Sequence, residues 1–310
     1  MATAPQPIDQ AGGRGFRAWL AAPVPSSPFQ ARMQQLSLKW WRLRGNPAAM
    51  LGLAIIVVIV VAALFAPLIA THDIYAQDLT NRLQRPSAAH WFGTDELGRD
   101  IFSRLVFGAR ITLYIAMLTA VIAAPLGLIV GTTSGYLGGW VDTVLMRIVD
   151  IFLAFPSLVL ALAFVAALGP SIDHAIIAIA LAAWPPIARL ARAETLSIRK
   201  SDYIAAVRLQ GASPLRIILG HVVPMCIPSV VVRITLSMAS IILTAAGLGF
   251  LGLGAQPPSP EWGAMLASGR EFILTNGWIA GIPGLAILIT SLAFNLFGDG
   301  LRDILDPRHG

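Results

Sequence analysis

The stretch Ala48-Ala-Met-Leu-Gly-Leu-Ala-Ile-Ile-Val-Val-Ile-Val-Val-Ala-Ala-Leu-Phe-Ala-Pro-Leu-Ile-Ala70 contains no charged and no hydrogen-bonding side chain. Wound as a helix at 1.5 Å per residue, it spans a hydrocarbon layer of about 30 Å. Its start is marked by Asn46, a capping residue, and by Pro47, which suits the first helical position. Ahead of it, residues 1–45 carry Arg14, Arg17, Arg32, Lys39, Arg42 and Arg44 against the single acid Asp9. That region is Pro- and Ala-rich and cannot bury a core, so it reads as a flexible basic tail with a membrane-surface helix near Leu36–Leu43. It is too long for the charged region of a cleaved signal peptide, so the run from 46 to 71 reads as a retained span.

Working outward, the whole chain follows the same solvent logic. It is 56% hydrophobic and only 12% charged, against roughly 45–50% and 25% in ordinary soluble domains. A fold of 310 residues with so few charges cannot clothe its surface in polar groups, so the apolar surface faces lipid. Five further runs pass the spanning test, near 111–134, 146–168, 175–195, 229–252 and 278–298. The expected fold class is an all-α polytopic membrane protein with six transmembrane helices. The basic tail and the connector holding Arg189, Arg192, Arg199, Lys200, Arg208 and Arg216 belong on the cytoplasmic side. With six spans both termini, including 301–310, are then cytoplasmic, and 72–108 is an outer segment.

The net charge of +6 does not indicate nucleic acid, because the basic residues are scattered between apolar runs and form no aromatic-interleaved patch. Loop charge asymmetry accounts for it. Cys226 is the sole cysteine, which excludes an intrachain disulfide and a Cys-based metal site. Several catalytic signatures are also missing. The two lysines, Lys39 and Lys200, follow no glycine, so a phosphate loop cannot form; no His pair has H-x-x-x-H spacing, and no Ser lies in G-x-S-x-G. Nothing in the sequence indicates a catalytic residue, a metal ligand set or a bound cofactor.

Interruptions within the apolar runs are informative. Gly127, Gly131 and Gly135 recur every four residues and leave a smooth strip for close helix approach. Pro156, Pro185, Pro186, Pro228 and Pro283 interrupt or begin spans, and Gly247, Gly249, Gly252 and Gly254 loosen the end of the fifth. Backbone groups freed at such depth need partners from neighbouring helices or from a watered cavity. Arg233, just inside the fifth span, either snorkels to the interface or takes part in a path or gate. Asp150, Glu194 and Asp299 fall near span ends, so no mid-span carboxylate supports an ion-coupled carrier.

Between spans four and five runs Asp202-Tyr-Ile-Ala-Ala-Val-Arg-Leu-Gln-Gly211-Ala-Ser213-Pro-Leu-Arg216. Its composition predicts a short helix up to Gln210, a stop at Gly211, and a second helix restarted by Ser213-Pro214. Such a knuckle suits docking into another protein's groove.

This segment resembles the signature E-A-A-x-x-x-G of inner-membrane permeases of bacterial ABC importers. Gly211 stands at its glycine and Ala206 at its middle alanine, with Val223-Pro224 as the later hydrophobic-Pro pair. Ala205 replaces the Glu of the pattern and Val207 the following Ala, so docking here cannot use that Glu. His90-Trp-Phe-Gly-Thr-Asp-Glu-Leu-Gly-Arg-Asp-Ile-Phe-Ser-Arg104, Gly249–Gly263 and Gly298–Pro307 resemble three further blocks of the C-type permease in the dipeptide, oligopeptide and nickel importer group. The likeness covers roughly 45–308. In the first block, Thr94 is expected to cap a surface helix that carries Asp95 and Glu96 in its first turn and Leu97, Ile101 and Leu105 on one face.

The resemblance implies a type I ABC importer permease bundle spanning 109–300 in a bacterial inner membrane. It implies a homologous B-type permease, two ATPase subunits or domains that hold ATP and Mg, and a periplasmic or lipid-anchored binding protein. Asp202, Tyr203, Ala205, Ala206, Arg208, Gly211, Ala212, Ser213 and Pro214 are then the ATPase-coupling loop. Dipeptides or short peptides are the expected substrates, with glutathione, nickel chelates or another small solute as alternatives. An ion-coupled carrier and a membrane scaffold are the rival classes.

Overall fold

The computed structural model describes Trp19 and residues 25–305. It divides into one unit ending at Pro47 and another running from Ala48. In the first, helix α1 spans Pro28–Arg44. The Ser27 hydroxyl caps it by accepting the Gln30 N–H at 3.1 Å, Pro28 opens it, and Arg42 and Arg44 close its last turn. A helix is thus present where one was expected near Leu36–Leu43, but it begins already at Pro28. Residues 1–18 and 20–24 lie outside the described set.

The second unit is helical throughout its apolar runs. Helix α2 is Pro47–Leu64 and α3 is Ala66–Ile69. After a strap comes α4, Ile101–Leu137, then α5, Gly139–Leu153, and α6, Ser157–Leu168. The series continues with α7 (Ile172–Ile198), α8 (Asp202–Leu209), α9 (Pro214–Ile217) and α10 (Val223–Phe250). It closes with α11, Trp262–Gly269, and α12, Trp278–Leu305. A π-helical turn, Ile218–Val222, fuses α9 to α10. Among the described residues, five helical stretches are long and apolar enough to cross a membrane. The pair α5 and α6, bent by 91°, makes a sixth if counted as one broken span. The expected all-helical polytopic bundle is thus observed, with six spans when the pair broken at Pro156 counts as one.

Pro156 is the only one of the flagged prolines that breaks a helix. Pro185, Pro186, Pro228 and Pro283 all lie inside continuous helices. Lipid and neighbouring helices leave no competing solvent for the backbone, so one missing N–H is tolerated where surrounding bonds persist.

The glycine strip on α4 does what its spacing suggests. A Cβ at Gly127 would lie 2.7 Å from Ile187 Cβ, and one at Gly135 would lie 2.8 Å from Thr195 Cβ. At Gly131 it would run into the Ala188 carbonyl oxygen and stand 2.7 Å from Ala191 Cβ. Helices α4 and α7 therefore meet backbone to backbone, with Trp184, Ile187, Ala188 and Ala191 buried along the seam. Gly52 brings α2 close to α12 in the same way, its absent Cβ falling 2.8 Å from Phe297 N. Around this seam the core gathers residues such as Ile115, Ile176, Ile242 and Leu248 from α4, α7 and α10.

Several boundaries differ from expectation: the first spanning helix ends at Leu64 and not near 71, the third begins at Gly139 and not near 146, and the fifth continues back to Pro214. Two more differ for local reasons. Helix α4 starts at Ile101, ahead of the 109–111 boundary expected for the bundle and its second span. Thr94 does not cap it, because Thr94 pairs across a bridge with Asp100 and residues 95–99 form a turn. The cap is Asp100, whose Oδ2 accepts the Ser103 N–H at 2.7 Å. The expected surface helix over 94–105 is corrected accordingly. At the other end α12 continues through Leu305; residues 306–310, and with them Pro307 of the last motif, are outside the described set.

Candidate functional site

The connector between α7 and α10 folds as two short helices joined by a bend. Ser201 caps α8, its hydroxyl accepting the Ile204 N–H at 3.4 Å, and Asp202 in the first turn favours the helix dipole. The chain reverses at Gly211, whose φ of +81° lies in the region favoured by glycine. Ser213 then caps α9 through the Arg216 N–H at 3.4 Å, and Pro214 takes the first helical position.

One face of this knuckle is anchored. Ile204 is fully buried and joins Tyr136, Ile217, Ile218, Val222 and Cys226 in a small apolar cluster, with Ala212 half-buried against it. Arg208 Nε donates to the Tyr136 hydroxyl at 3.0 Å, and its guanidinium carbon stands 5.0 Å from that ring's centroid. Tyr203 Oη lies 2.7 Å from His221 Nδ1, tying α8 to the π-helical turn. The opposite face is open. Asp202, Ala205, Ala206, Gly211, Ser213 and Pro214 are exposed, and Leu209 and Leu215 present 90% and 66% of their surface.

Every residue expected in the coupling loop therefore belongs to one knuckle. Leu209 and Leu215, its two most prominent apolar residues, were not singled out from sequence. Helical periodicity is weak over eight residues and does not say which face points away. Arg233 is separate from the knuckle. It sits three turns along α10 from Val222, about 16 Å at 1.5 Å per residue, and its side chain is exposed.

The base of the bundle near the knuckle is held by ion pairs. Arg192 makes a two-pronged contact with Asp142, Nε to Oδ1 at 2.6 Å and a terminal nitrogen to Oδ2 at 2.7 Å. Ser134 also donates to Asp142, so α4, α5 and α7 share one carboxylate. Arg189 reaches Asp150 at 2.7 Å. These pairs explain how charges occur so close to helix segments that read as spanning.

The strap over 71–100 is a second, separate feature. Asp95 accepts the N–H groups of Leu97 and Arg99 at 2.9 Å each and pairs with Arg99 Nε at 2.7 Å. Arg104, 4% exposed, donates to the Ile74 carbonyl at 3.0 Å. Gly98, at φ +74°, turns the chain where any Cβ would collide with the Asp78 backbone. The motif residues 94–104 thus knot the strap onto the start of α4, which makes their role structural. Asp78 is exposed, and hydrogen bonds from Thr80 and Asn81 hold its carboxyl below the usual range.

Glu261 closes a further polar knot beside Gly249. Its carboxylate caps α11, accepting the Gly263 and Ala264 N–H groups at 2.9 Å each. The residue is 1% exposed. Burial pushes its pKa up, partly opposed by those two bonds.

Comparison with known proteins agrees with this architecture. A family described as "Binding-protein-dependent transport system inner membrane component" matches residues 123–309. One described as "N-terminal TM domain of oligopeptide transport permease C" matches residues 34–86. The chain is 48% identical over 270 residues to a protein of Escherichia coli (strain K12) named as a probable D,D-dipeptide transport system permease, covering 87% of this chain and 91% of that one. It is 45% identical over 294 residues to the dipeptide transport system permease protein of Alkalihalophilus pseudofirmus, covering 93% and 96%. Among solved structures, an inward-facing form of the MetNI methionine ABC transporter matches with a TM-score of 0.53 at 22% identity. That match covers 66% of this chain and 97% of the other, a likeness of fold.

Proposed function

Because this chain belongs to the family of binding-protein-dependent transport system inner membrane components, we propose that it is the translocating subunit of an ATP-driven importer of dipeptides or short peptides. The observation that carries the reading is the extent of the likeness: two relatives named for dipeptide transport align over nearly their whole length. The helices long and apolar enough to span a membrane fit the same role. Glutathione stands behind dipeptides: a glutathione transport system permease protein of Escherichia coli O6:K15:H31 is 45% identical over 270 residues, against 48% for the D,D-dipeptide relative.

In this reading the chain performs no chemistry. ATP and Mg are held by partner ATPases, a second permease of the B type completes the pathway, and an external binding protein delivers the peptide. The knuckle Asp202–Ile217 is the coupling site. Its buried face is locked to the bundle through Ile204 and Arg208, while Leu209 and Leu215 offer apolar anchors to a groove in the ATPase. Covering these exposed side chains on docking removes apolar surface from water, which favours association. A push on the knuckle reaches α10 without a break, because α9, the π turn and α10 form one continuous helical stretch from Pro214 to Phe250. Anchoring by Leu209 and Leu215 also removes the need for a Glu at position 205.

The charge distribution supports an orientation in which the knuckle and both termini are cytoplasmic and the strap 71–100 lies outside. The direct test of function is uptake in a strain deleted for this chain. Complementation should restore uptake of a labelled dipeptide, and unlabelled dipeptides should compete for it. Restored uptake competed by glutathione but not by dipeptides would reject the peptide assignment while retaining the importer.

A further inference from the structure

Outside the knuckle, the strap brings together three potential metal ligands far apart in sequence. His72 follows α3, His90 lies at the strap's far turn, and Asp100 caps α4. His90 Nδ1 stands 2.9 Å from Asp100 Oδ1, and His72 Nδ1 stands 3.7 Å from the same oxygen. The two imidazole rings have centroids 4.5 Å apart. One ligand atom from each of the three residues lies within 4.8 Å of the others.

We propose that His72, His90 and Asp100 bind a divalent late transition ion, zinc being the best fit, as a clamp between the end of α3 and the start of α4. The proposal is independent of the transported substrate. Four-coordinate zinc with bonds near 2.0–2.1 Å separates adjacent ligand atoms by about 3.3 Å. The observed 2.9 and 3.7 Å bracket that value, so small side-chain rotations complete the site. Two imidazole nitrogens and one carboxylate oxygen favour zinc and its neighbours over magnesium or calcium, which require mainly oxygen donors. Three protein ligands leave the fourth position to water.

The supporting atoms suit that role. Asp100 divides its carboxylate: Oδ2 is committed to the Ser103 N–H at 2.7 Å, leaving Oδ1 directed at the histidines. The backbones carrying the rings are held too, His72 N–H by Ser103 Oγ at 3.0 Å and His90 N–H by Ser87 Oγ at 3.1 Å. Thr71 Oγ1 stands 2.9 Å from His72 Nδ1, a contact that a metal bound at that nitrogen would replace. The start of α4 carries roughly half a positive charge, which opposes a cation. The full negative charge of Asp100 in direct contact outweighs it. Side-chain exposure of 40% at His72 and 17% at His90 gives an ion a way in, while Asp100 is wholly buried.

The competing account is that His90 merely hydrogen-bonds Asp100 to lock the strap. His72 separates the two, because a lock between His90 and Asp100 has no need of it. The test uses full-length chain purified in detergent without a polyhistidine tag, with zinc by equilibrium dialysis and cobalt(II) by visible absorption. Wild type should retain one zinc per chain and give the intense spectrum of tetrahedral cobalt. His72→Ala should weaken binding by about tenfold or more. His72→Cys should restore it with a new sulfur-to-cobalt band. Equal zinc retention by wild type and His72→Ala, or a wild-type cobalt spectrum like that of the aqueous ion, overturns the site.

Discussion

Replacing Gly211 by Val tests the coupling site through backbone conformation alone. At φ +81° with no neighbouring atom within 4 Å of a built Cβ, a side chain at 211 meets open space. The penalty is therefore conformational, about 1–3 kcal/mol for a non-glycine residue held in the left-handed region and toward the upper end for a β-branched one. That strain falls on a bend between the short helix α8 and the exposed start of the α9–α10 stretch, so it is relieved by opening the bend while the bundle stays intact. Taken wholly as lost docking geometry, it corresponds to a weakening of roughly fivefold to 150-fold. Gly211→Asn is the control, since Asn enters this region several-fold more readily than most residues. The assay measures dipeptide uptake and ATPase co-purification at matched membrane expression. Gly211→Val should lose one or both while Gly211→Asn stays near wild type. Wild-type behaviour of Gly211→Val, or equal defects in both variants, would refute the reasoning.

Other consequences follow from separate parts of the molecule. Gly131→Leu forces a side chain into the Ala188 carbonyl and Ala191, and overpacking of about 1–3 kcal/mol or more should lower the thermal midpoint of the purified chain; Gly220→Leu, with open space around it, should not. Glu261→Ala removes two cap hydrogen bonds and should cost about 1–2 kcal/mol, read as a lower midpoint. Burial raises the Glu261 pKa, so the folded state binds its proton more tightly than the unfolded chain. Its contribution is fully present below the ordinary value of 4.5 and is lost as pH climbs through the raised value. Glu261→Gln should accordingly flatten the decline of the thermal midpoint over that range, and an unchanged pH profile would remove burial as the cause. Impermeant thiol reagents applied to intact cells should label cysteines placed at the exposed positions 256–258 and spare those at the exposed positions 205, 206 and 209; labelling of the latter would reverse the proposed orientation.

Much of the architecture was readable because lipid simplifies the code. An uncharged run such as 48–70 has one solution in a bilayer, and a four-residue glycine period has one geometric use, realised where α4 meets α7. The knuckle was legible for a similar reason. Gly211, Ser213 and Pro214 are punctuation whose meaning is local, and each occupies the position its chemistry favours.

Illegible features depend on partners distant in sequence. Thr94 looks like a helix cap, yet Gln84 N–H and the Asn81 carbonyl claim its hydroxyl at 2.9 and 2.5 Å, and Asp100 caps the helix instead. Prolines 185, 228 and 283 read as breaks, but propensity yields where packing and the absence of water hold the helix. The convergence of His72 and His90 on Asp100 has no sequence periodicity, because a strap and not a helix assembles it. Leu209 and Leu215 escaped notice since their outward direction is set by Ile204 and Arg208 anchoring the other face.

The central claim is that the Asp202–Ile217 knuckle couples this chain to an ATPase. Cys226 is the sole cysteine and is buried, so Cys226→Ala provides a background in which single cysteines report unambiguously. Leu209→Cys and Leu215→Cys, each combined with that change, should form cross-links to the ATPase subunit in the assembled transporter with a short bifunctional reagent. Cysteine at Trp91 of the strap, 54% exposed, should form none. Cross-linking at Trp91→Cys with silence at both knuckle positions would contradict the account.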